Sequence, residues 1–209
     1  MVSHFCFFMS DFEIYEPRED SFLLQKQIKD YAKGDVLDMG TGSGILAAEA
    51  LKYADRVVAV DINPKVISHC KKLYPAIEFR ESDLFSNISA DKKFDLIIFN
   101  PPYLPDEPLA PDIALDGGPL GFELIECFLQ GVSDYLEPDG KILLLFSSHS
   151  RPAMIHKVLK KKGFRYKLIA TEKLAFEELY VYVISRFPVL HSDISLDMNV
   201  YNIKKDLKP

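Results

Sequence analysis

Short apolar runs of strand length alternate with amphipathic, helix-like segments along most of this chain. The predicted strands are 35–39, 56–60, 76–80, 94–99, 140–146, 164–171 and 178–186. The predicted helices are 18–31, 45–53, 64–73, 120–136 and 152–162. This alternation predicts a doubly wound α/β fold with a mostly parallel, seven-stranded sheet, and the last two strands predict an antiparallel hairpin.

Length and composition predict one domain. With 209 residues, of which 48% are hydrophobic, the chain can bury a sizeable core, which we place in residues 11–186 of a single domain spanning 1–209. The tail 187–209 is interpreted as an added edge strand or a mobile segment. No apolar run is long enough to span a membrane, and the amino terminus lacks the features of a secretory leader, so we expect a cytoplasmic protein.

Charge and cysteine spacing argue against two broad classes of function. The formal net charge of −6 argues against a protein built around a long nucleic-acid footprint, so nucleic acid is not expected as the primary partner. Cys6, Cys70 and Cys127 are scattered and have no histidine at ligand spacing, which predicts idle thiols and no metal site.

The apolar run 94–99 ends in Asn100, Pro101, Pro102 and Tyr103, which we call the NPPY motif. The two prolines stop the strand and stiffen the turn at the sheet edge where α/β proteins bind ligands. The Asn100 side-chain carbonyl and a proline main-chain carbonyl could accept both hydrogens of an –NH2 group, turning its lone pair toward an electrophile, while Tyr103 stacks on the flat group. Alternatively, the motif is a strand-ending turn around a buried asparagine.

A glycine-rich loop follows the first predicted strand. Gly40, Gly42 and Gly44 allow a ligand to approach the backbone closely, between a strand and a helix. The loop lacks the lysine of a phosphate-binding P-loop, and its spacing differs from that of a dinucleotide fingerprint. A purely structural glycine turn stays possible at this point.

Acidic residues occur where three successive strands end. Asp38 precedes the glycine-rich loop, Asp61 is placed to accept from ribose hydroxyls, and Asp83 could accept from the amino group of an adenine. Each carboxylate alone is more often a helix cap or a solvated loop residue. Together they predict a nucleoside pocket without a phosphate site, and S-adenosyl-L-methionine fits because its tail is a sulfonium and an amino acid.

The combination of motifs resembles a known family. The segments VLDMGTGSG, VVAVDINP, ESDLF and IIFNPPY occur in the order found in HemK-type class I S-adenosylmethionine-dependent methyltransferases. The upstream segment YEPREDS is similar to the short branch of archaea and eukaryotes, which lacks the amino-terminal domain of the bacterial enzymes. The resemblance covers roughly residues 11–186 and implies a Rossmann-like fold.

The resemblance also assigns site residues. It implies that the cofactor is held by Ser21, Asp38, Gly40, Gly42, Gly44, Asp61, Ile62, Asp83, Leu84 and Asn100. The catalytic residues would be Asn100, Pro101, Pro102 and Tyr103. Position 38 is often Glu in the family; Asp has a shorter reach but keeps the charge.

The implied reaction is methylation of the side-chain amide nitrogen of a glutamine, in the Gly-Gly-Gln loop of a translation release factor. Alternatives are N6-adenine methylation in DNA or RNA, protein lysine methylation, and a non-catalytic module that binds S-adenosylmethionine. The short branch often works with a small zinc-containing activator protein. The predicted strand 76–80 would be the sheet edge open to such a partner.

Two further segments carry weaker signals. Residues 101–119 contain six of the thirteen prolines, which predicts a long, stiff, functional loop with a hinge at 116–121. Ser147, Ser148 and His149 have no acid partner for a nucleophilic triad, so we interpret them as polar loop residues.

Overall fold

The computed structural model describes residues 15–106 and 115–186. Seven strands form one sheet: β1 Asp35–Met39, β2 Arg56–Asp61, β3 Glu78–Glu81, β4 Phe94–Phe99, β5 Leu136–Ser147, β6 Phe164–Lys173 and β7 Glu178–Arg186. Five α-helices accompany them: α1 Glu19–Ile28, α2 Ile45–Ala50, α3 Pro64–Leu73, α4 Glu123–Gly131 and α5 Pro152–Lys161. The predicted tail strand and Cys6 lie outside the described residues.

The strand order is β3-β2-β1-β4-β5-β7-β6, with β7 antiparallel to β5 and β6. The first five strands pair in parallel. The predicted α/β fold and its terminal hairpin are therefore confirmed. The order reverses between β1 and β4, so the chain leaves these two adjacent strands in opposite directions, and a crevice opens at their carboxyl ends.

Apolar residues of the central strands form the core. Val36, Leu37, Leu96, Ile97 and Ile98 are fully buried, as expected for parallel strands covered by helices on both faces. Phe99 packs on Phe128 of α4 with ring centroids 4.6 Å apart. This packing anchors the end of β4, where the NPPY motif begins.

Several element boundaries differ from prediction. The helix expected over 120–136 ends at Gly131 and continues as a single 3₁₀ turn, Val132–Tyr135. The next strand begins at Leu136 rather than 140, because Leu136 pairs with Phe94 across the start of β4. The third strand is Glu78–Glu81 instead of 76–80, and its predicted position at the sheet edge is confirmed.

Candidate active site

A cavity of about 940 Å³ lies at the carboxyl ends of the central strands. This volume is within the range of sites for cofactors and drug-sized ligands. Among the described residues, six carboxylates and one guanidinium line it: Glu16, Asp20, Asp61, Asp83, Asp116, Glu123 and Arg18. The negative surplus attracts a cationic ligand and disfavours a pyrophosphate.

The glycine-rich loop, residues 40–44, is held by hydrogen bonds to carboxylates at the ends of β1 and β2. Asp38 Oδ2 accepts from Thr41 Oγ1 at 2.7 Å and from the Ala47 amide at 3.1 Å. Gly44 caps α2 with φ of 81°, and a Cβ there would lie 2.8 Å from the Tyr74 ring. The loop therefore has a fixed shape that only glycine permits at this position.

Asp38 and Gly44 do not line the cavity, although both were predicted to hold the cofactor. Asp38 is fully buried beneath the loop, and this burial raises the pKa of its carboxyl to about 7 despite the two hydrogen bonds it accepts. Both residues are buried and fix the shape of the loop without facing the cavity. A direct contact of Asp38 with the cofactor stays a prediction.

Gly40, Gly42, Asp61 and Ile62, which were predicted to bind the cofactor, lie on the cavity wall. Asp61 accepts from the Gly42 amide at 3.0 Å through Oδ2 and from the Asn63 amide at 2.9 Å through Oδ1. Burial raises the pKa of this carboxyl. Each carboxylate oxygen has a further lone pair, so Asp61 can still accept from a ribose hydroxyl.

Asp83 and Leu84 line the cavity beyond β3. Asp83 is exposed, so its carboxylate is open to a ligand. Leu84 has a positive φ of 46°, which is rare for a residue with a branched side chain. The hydroxyl of Ser82 donates to the Leu84 carbonyl at 2.8 Å and stabilises this turn.

The NPPY motif follows β4 on the opposite wall. The Asn100 amide donates through Nδ2 to Asp20 Oδ2 at 3.0 Å. Its Oδ1 is buried and accepts no hydrogen bond from any residue in the described part of the chain. A buried acceptor without a donor is costly, and Asn100 lines the cavity, which makes Oδ1 a candidate acceptor for an N–H group that enters.

Tyr103 completes the wall next to Asn100. Its side chain is 9% exposed, and burial, with a smaller effect of the Asp20 charge, raises the pKa of its phenol well above the ordinary value. The phenol is therefore neutral at physiological pH and can only act as a flat, hydrogen-bonding surface. Ser150 Oγ donates to the Tyr103 carbonyl at 2.9 Å, so the serine-rich turn after β5 supports the motif.

The loop after the motif is closed at its base. The Leu104 amide donates to Leu115 and the Gly117 amide donates to Leu104, which joins the two ends of the loop. A Cβ at Gly117 would lie 2.6 Å from the Pro102 carbonyl oxygen. This glycine, predicted to be part of a hinge, allows close packing against the motif, and residues 107–114 between the two ends lie outside the described residues.

Helix α1 supplies the third side of the site. Ser21, which was predicted to bind the cofactor, lines the cavity, but its hydroxyl and amide both donate to Asp20. Asp20 was not predicted as a site residue, although it belongs to the YEPREDS segment. Its contact with Asn100 joins residues 80 positions apart, which no local pattern indicates.

No cluster of metal-ligating side chains occurs within residues 15–106 and 115–186. Cys70 is buried and Cys127 is exposed, and these two cysteines are not joined by a disulfide. In the described part of the chain, no helix has the length and apolar character needed to cross a membrane.

A sheet of this order, with a glycine-rich loop after β1, acids after β2 and β3 and the NPPY motif after β4, defines a class I S-adenosylmethionine-dependent methyltransferase. The family model for the methyltransferase small domain matches residues 18–174. The chain belongs to this family and to its HemK-type members.

Three comparisons support this assignment. The chain is 42% identical over 179 residues to a Methanocaldococcus jannaschii protein provisionally named a protein N5-glutamine methyltransferase, covering 81% of this chain and 90% of that one. It is 28% identical over 190 residues to the human methyltransferase HEMK2, covering 81% and 88%. The solved structure of E. cuniculi Mtq2 in complex with Trm112 superposes with a TM-score of 0.70 at 26% identity, covering 83% and 98%.

The cofactor of the class, S-adenosylmethionine, fits the residues present. The acidic lining suits its sulfonium, and the exposed Asp83 suits an adenine amine. Asp61 presents the acceptor that a ribose requires. When bound, the cofactor supplies an electrophilic methyl group.

Proposed function

We propose that this chain methylates the side-chain amide nitrogen of a glutamine, and that the glutamine lies in the Gly-Gly-Gln loop of a translation release factor. The observation that carries the proposal is the buried Asn100 Oδ1, an acceptor without a donor on the wall of the cofactor cavity. The –NH2 group of a glutamine amide supplies the missing donor, and this contact also places its nitrogen beside the methyl group of the cofactor.

The chemistry follows from this contact. An amide nitrogen is a poor nucleophile because its lone pair is delocalised into the carbonyl. Holding its hydrogens out of the amide plane, at Asn100 Oδ1 and at the Pro101 carbonyl, favours a tetrahedral nitrogen whose lone pair is free. The Tyr103 ring restricts the amide to one orientation, and placing the reactants in this way can supply several kcal/mol.

Two relatives support the substrate. A Koribacter versatilis protein 33% identical over 142 residues is named a release factor glutamine methyltransferase, and this chain spans about half of its length. The E. cuniculi Mtq2-Trm112 complex is responsible for methylation of the translation termination factor eRF1.

The test is a methyl-transfer assay with labelled S-adenosylmethionine and parallel acceptors. These are a Gly-Gly-Gln release factor, its Gly-Gly-Glu variant, a lysine-containing protein, DNA and RNA. We expect label on the first alone, at the glutamine by mass spectrometry. Label on DNA or RNA would identify an N6-adenine enzyme, and label on lysine a protein lysine methyltransferase. Cofactor binding without any transfer would identify a non-catalytic module.

We also propose that a small zinc-containing activator pairs with β3. This strand is one of the two edges of the sheet formed by the described residues, and Leu73, the last residue of the preceding helix α3, is 53% exposed. The Mtq2 structure is itself a complex with Trm112. Co-expression with a Trm112-like protein should yield a 1:1 complex by size exclusion with raised activity; separate elution and unchanged activity would remove this partner.

A further inference from the structure

Asp20 is a buried carboxylate that touches the NPPY motif. It lies in the first turn of α1, and its side chain is 3% exposed. Oδ2 accepts from Tyr15 Oη at 2.9 Å and from Asn100 Nδ2 at 3.0 Å, while Oδ1 accepts from the Ser21 amide. No described cation forms a salt bridge with it.

This contact determines which way the Asn100 amide faces. The two ends of an asparagine amide have nearly the same shape, so packing alone selects neither. A carboxylate can only accept hydrogen bonds, so the –NH2 end must face Asp20 and the carbonyl end must face away. The buried Oδ1 without a donor is the result.

The charge on Asp20 also acts on the same carbonyl. A carboxylate at the –NH2 end polarises the amide and draws negative charge toward Oδ1, since hydrogen bonds in series strengthen one another. Oδ1 is the atom that would receive the substrate N–H. The nitrogen gains positive charge as its bond to the methyl carbon forms, the carbon–sulfur bond breaks and the electron pair leaves with sulfur. Its proton departs afterwards to solvent.

We propose that Asp20 is the positioning residue of this enzyme: it locks the Asn100 amide with its carbonyl toward the substrate nitrogen and increases the negative charge on that carbonyl. The proposal rests on the proposed function, because it assigns Oδ1 to the substrate amide. Tyr15 and Ser21 hold the carboxylate in turn, so α1 is coupled to the motif.

A structural role for Asp20 is the competing explanation. The carboxylate stands in the first turn of α1, where acidic side chains stabilise a helix. A residue with this role alone would lower stability when replaced and would not depend on the identity of residue 100. The experiment must therefore exchange the two partners.

The test is a charge-conserving swap measured by steady-state kinetics, with cofactor affinity followed by calorimetry. Asp20→Asn should lower kcat about 100-fold, comparable to the loss of one transition-state hydrogen bond, with cofactor affinity within about threefold. Asn100→Asp should also be poor, because two carboxylates would lie at hydrogen-bond distance. The double variant Asp20→Asn/Asn100→Asp restores a donor–acceptor pair and leaves an acceptor toward the substrate, so its kcat should exceed that of either single variant at least tenfold.

Glu19→Gln is the matched control, since it removes an exposed charge from the same helical turn outside the cavity. It should keep the parent kcat. A kcat for Asp20→Asn above a third of the parent value would overturn the proposal, as would a swap no better than the worse single variant. If Asp20→Asn fails to fold, the swap and Asn100→Asp decide alone: a folded swap that is no faster than Asn100→Asp contradicts the proposal.

The proposed function fails separately, when the parent enzyme methylates no glutamine. If the parent instead methylates lysine or adenine, the parent and the four variants are compared on that acceptor, with the same expected ratios of kcat. A parent inactive on every acceptor overturns both proposals.

Discussion

Two turns at the same edge of the sheet, the glycine-rich loop after β1 and the NPPY motif after β4, hold their polar groups in different ways. In the loop, Asp38 and Asp61 accept hydrogen bonds from Thr41 and from nearby backbone amides, and these contacts fix the shape of the backbone. Asp38 Oδ1 is buried without a donor in the described part of the chain, but Asp38 lies beneath the loop and does not line the cavity. In the motif, Asn100 donates to Asp20, and its Oδ1 is left without a donor in a residue that does line the cavity. The loop therefore provides shape, whereas the motif offers a contact for the substrate.

The largest expected effect is at the NPPY motif. Asn100→Ala removes the acceptor, so methyl transfer should fall at least about 1,000-fold, the upper range for one hydrogen-bonding group at a reacting centre. Cofactor affinity should change only modestly. Kinetics with calorimetry on the same sample measure both.

Asn87→Ala is the control for that variant, because Asn87 is an exposed asparagine after β3 whose amide donates to Glu81 outside the cavity. It should keep the parent rate. If Asn100→Ala transferred methyl at near the parent rate, the motif would be only a strand-ending turn.

At the glycine-rich loop, Asp61→Ala should weaken cofactor binding and leave the rate of methyl transfer at saturating cofactor nearly unchanged. Losing a hydrogen bond to a charged acceptor costs about 1.5–3 kcal/mol, or roughly 10- to 100-fold in affinity by calorimetry. At saturating cofactor, kcat should recover to within about threefold. Asp55→Ala, which removes an exposed acid just before β2, is the control. An unchanged dissociation constant for the Asp61 variant would remove Asp61 from the ribose role.

Packing links the closed loop to the motif. Gly117→Ala places a methyl against the Pro102 carbonyl, which should lower the free energy of unfolding by about 1–3 kcal/mol and reduce kcat as well. Gly163→Ala is the control, because that glycine has a φ of 73° and open space around its Cβ position. Alanine there strains the backbone but does not clash with a neighbouring atom. The control should lose stability in urea titrations and keep its kcat; equal losses of kcat would show that Gly117 has no special link to the site.

The smallest effect concerns pH. The folded-state pKa of Asp38, about 7, lies above the unfolded value of about 3.9, so the folded state binds more protons between these pH values. Asp38 therefore lowers stability as pH rises from about 5 to 7, by about 2 kcal/mol. Asp38→Asn should flatten this part of the stability profile in urea titrations. A parallel shift of the whole profile would contradict the assignment.

Sequence patterns predict which residues meet at the cavity where the signal is local. The glycine-rich loop and the NPPY motif directly follow β1 and β4, Asp61 ends β2 and Asp83 lies two residues beyond β3, and parallel strands bring their carboxyl ends to one edge. The contact of Asp20 with Asn100 and that of Ser150 with Tyr103 were missed, because they join residues 80 and 47 positions apart. The end of α4 was misplaced because pairing of Leu136 with Phe94, a tertiary contact, overrides the helical pattern there.

The most direct measurement is a crystal structure with S-adenosylhomocysteine and a Gly-Gly-Gln peptide. We expect the glutamine Nε2 to lie about 2.7–3.2 Å from Asn100 Oδ1, with Asn100 Nδ2 still donating to Asp20. A glutamine amide bound more than about 4 Å from Oδ1, or an Asn100 amide turned with its –NH2 toward the substrate, would contradict this expectation.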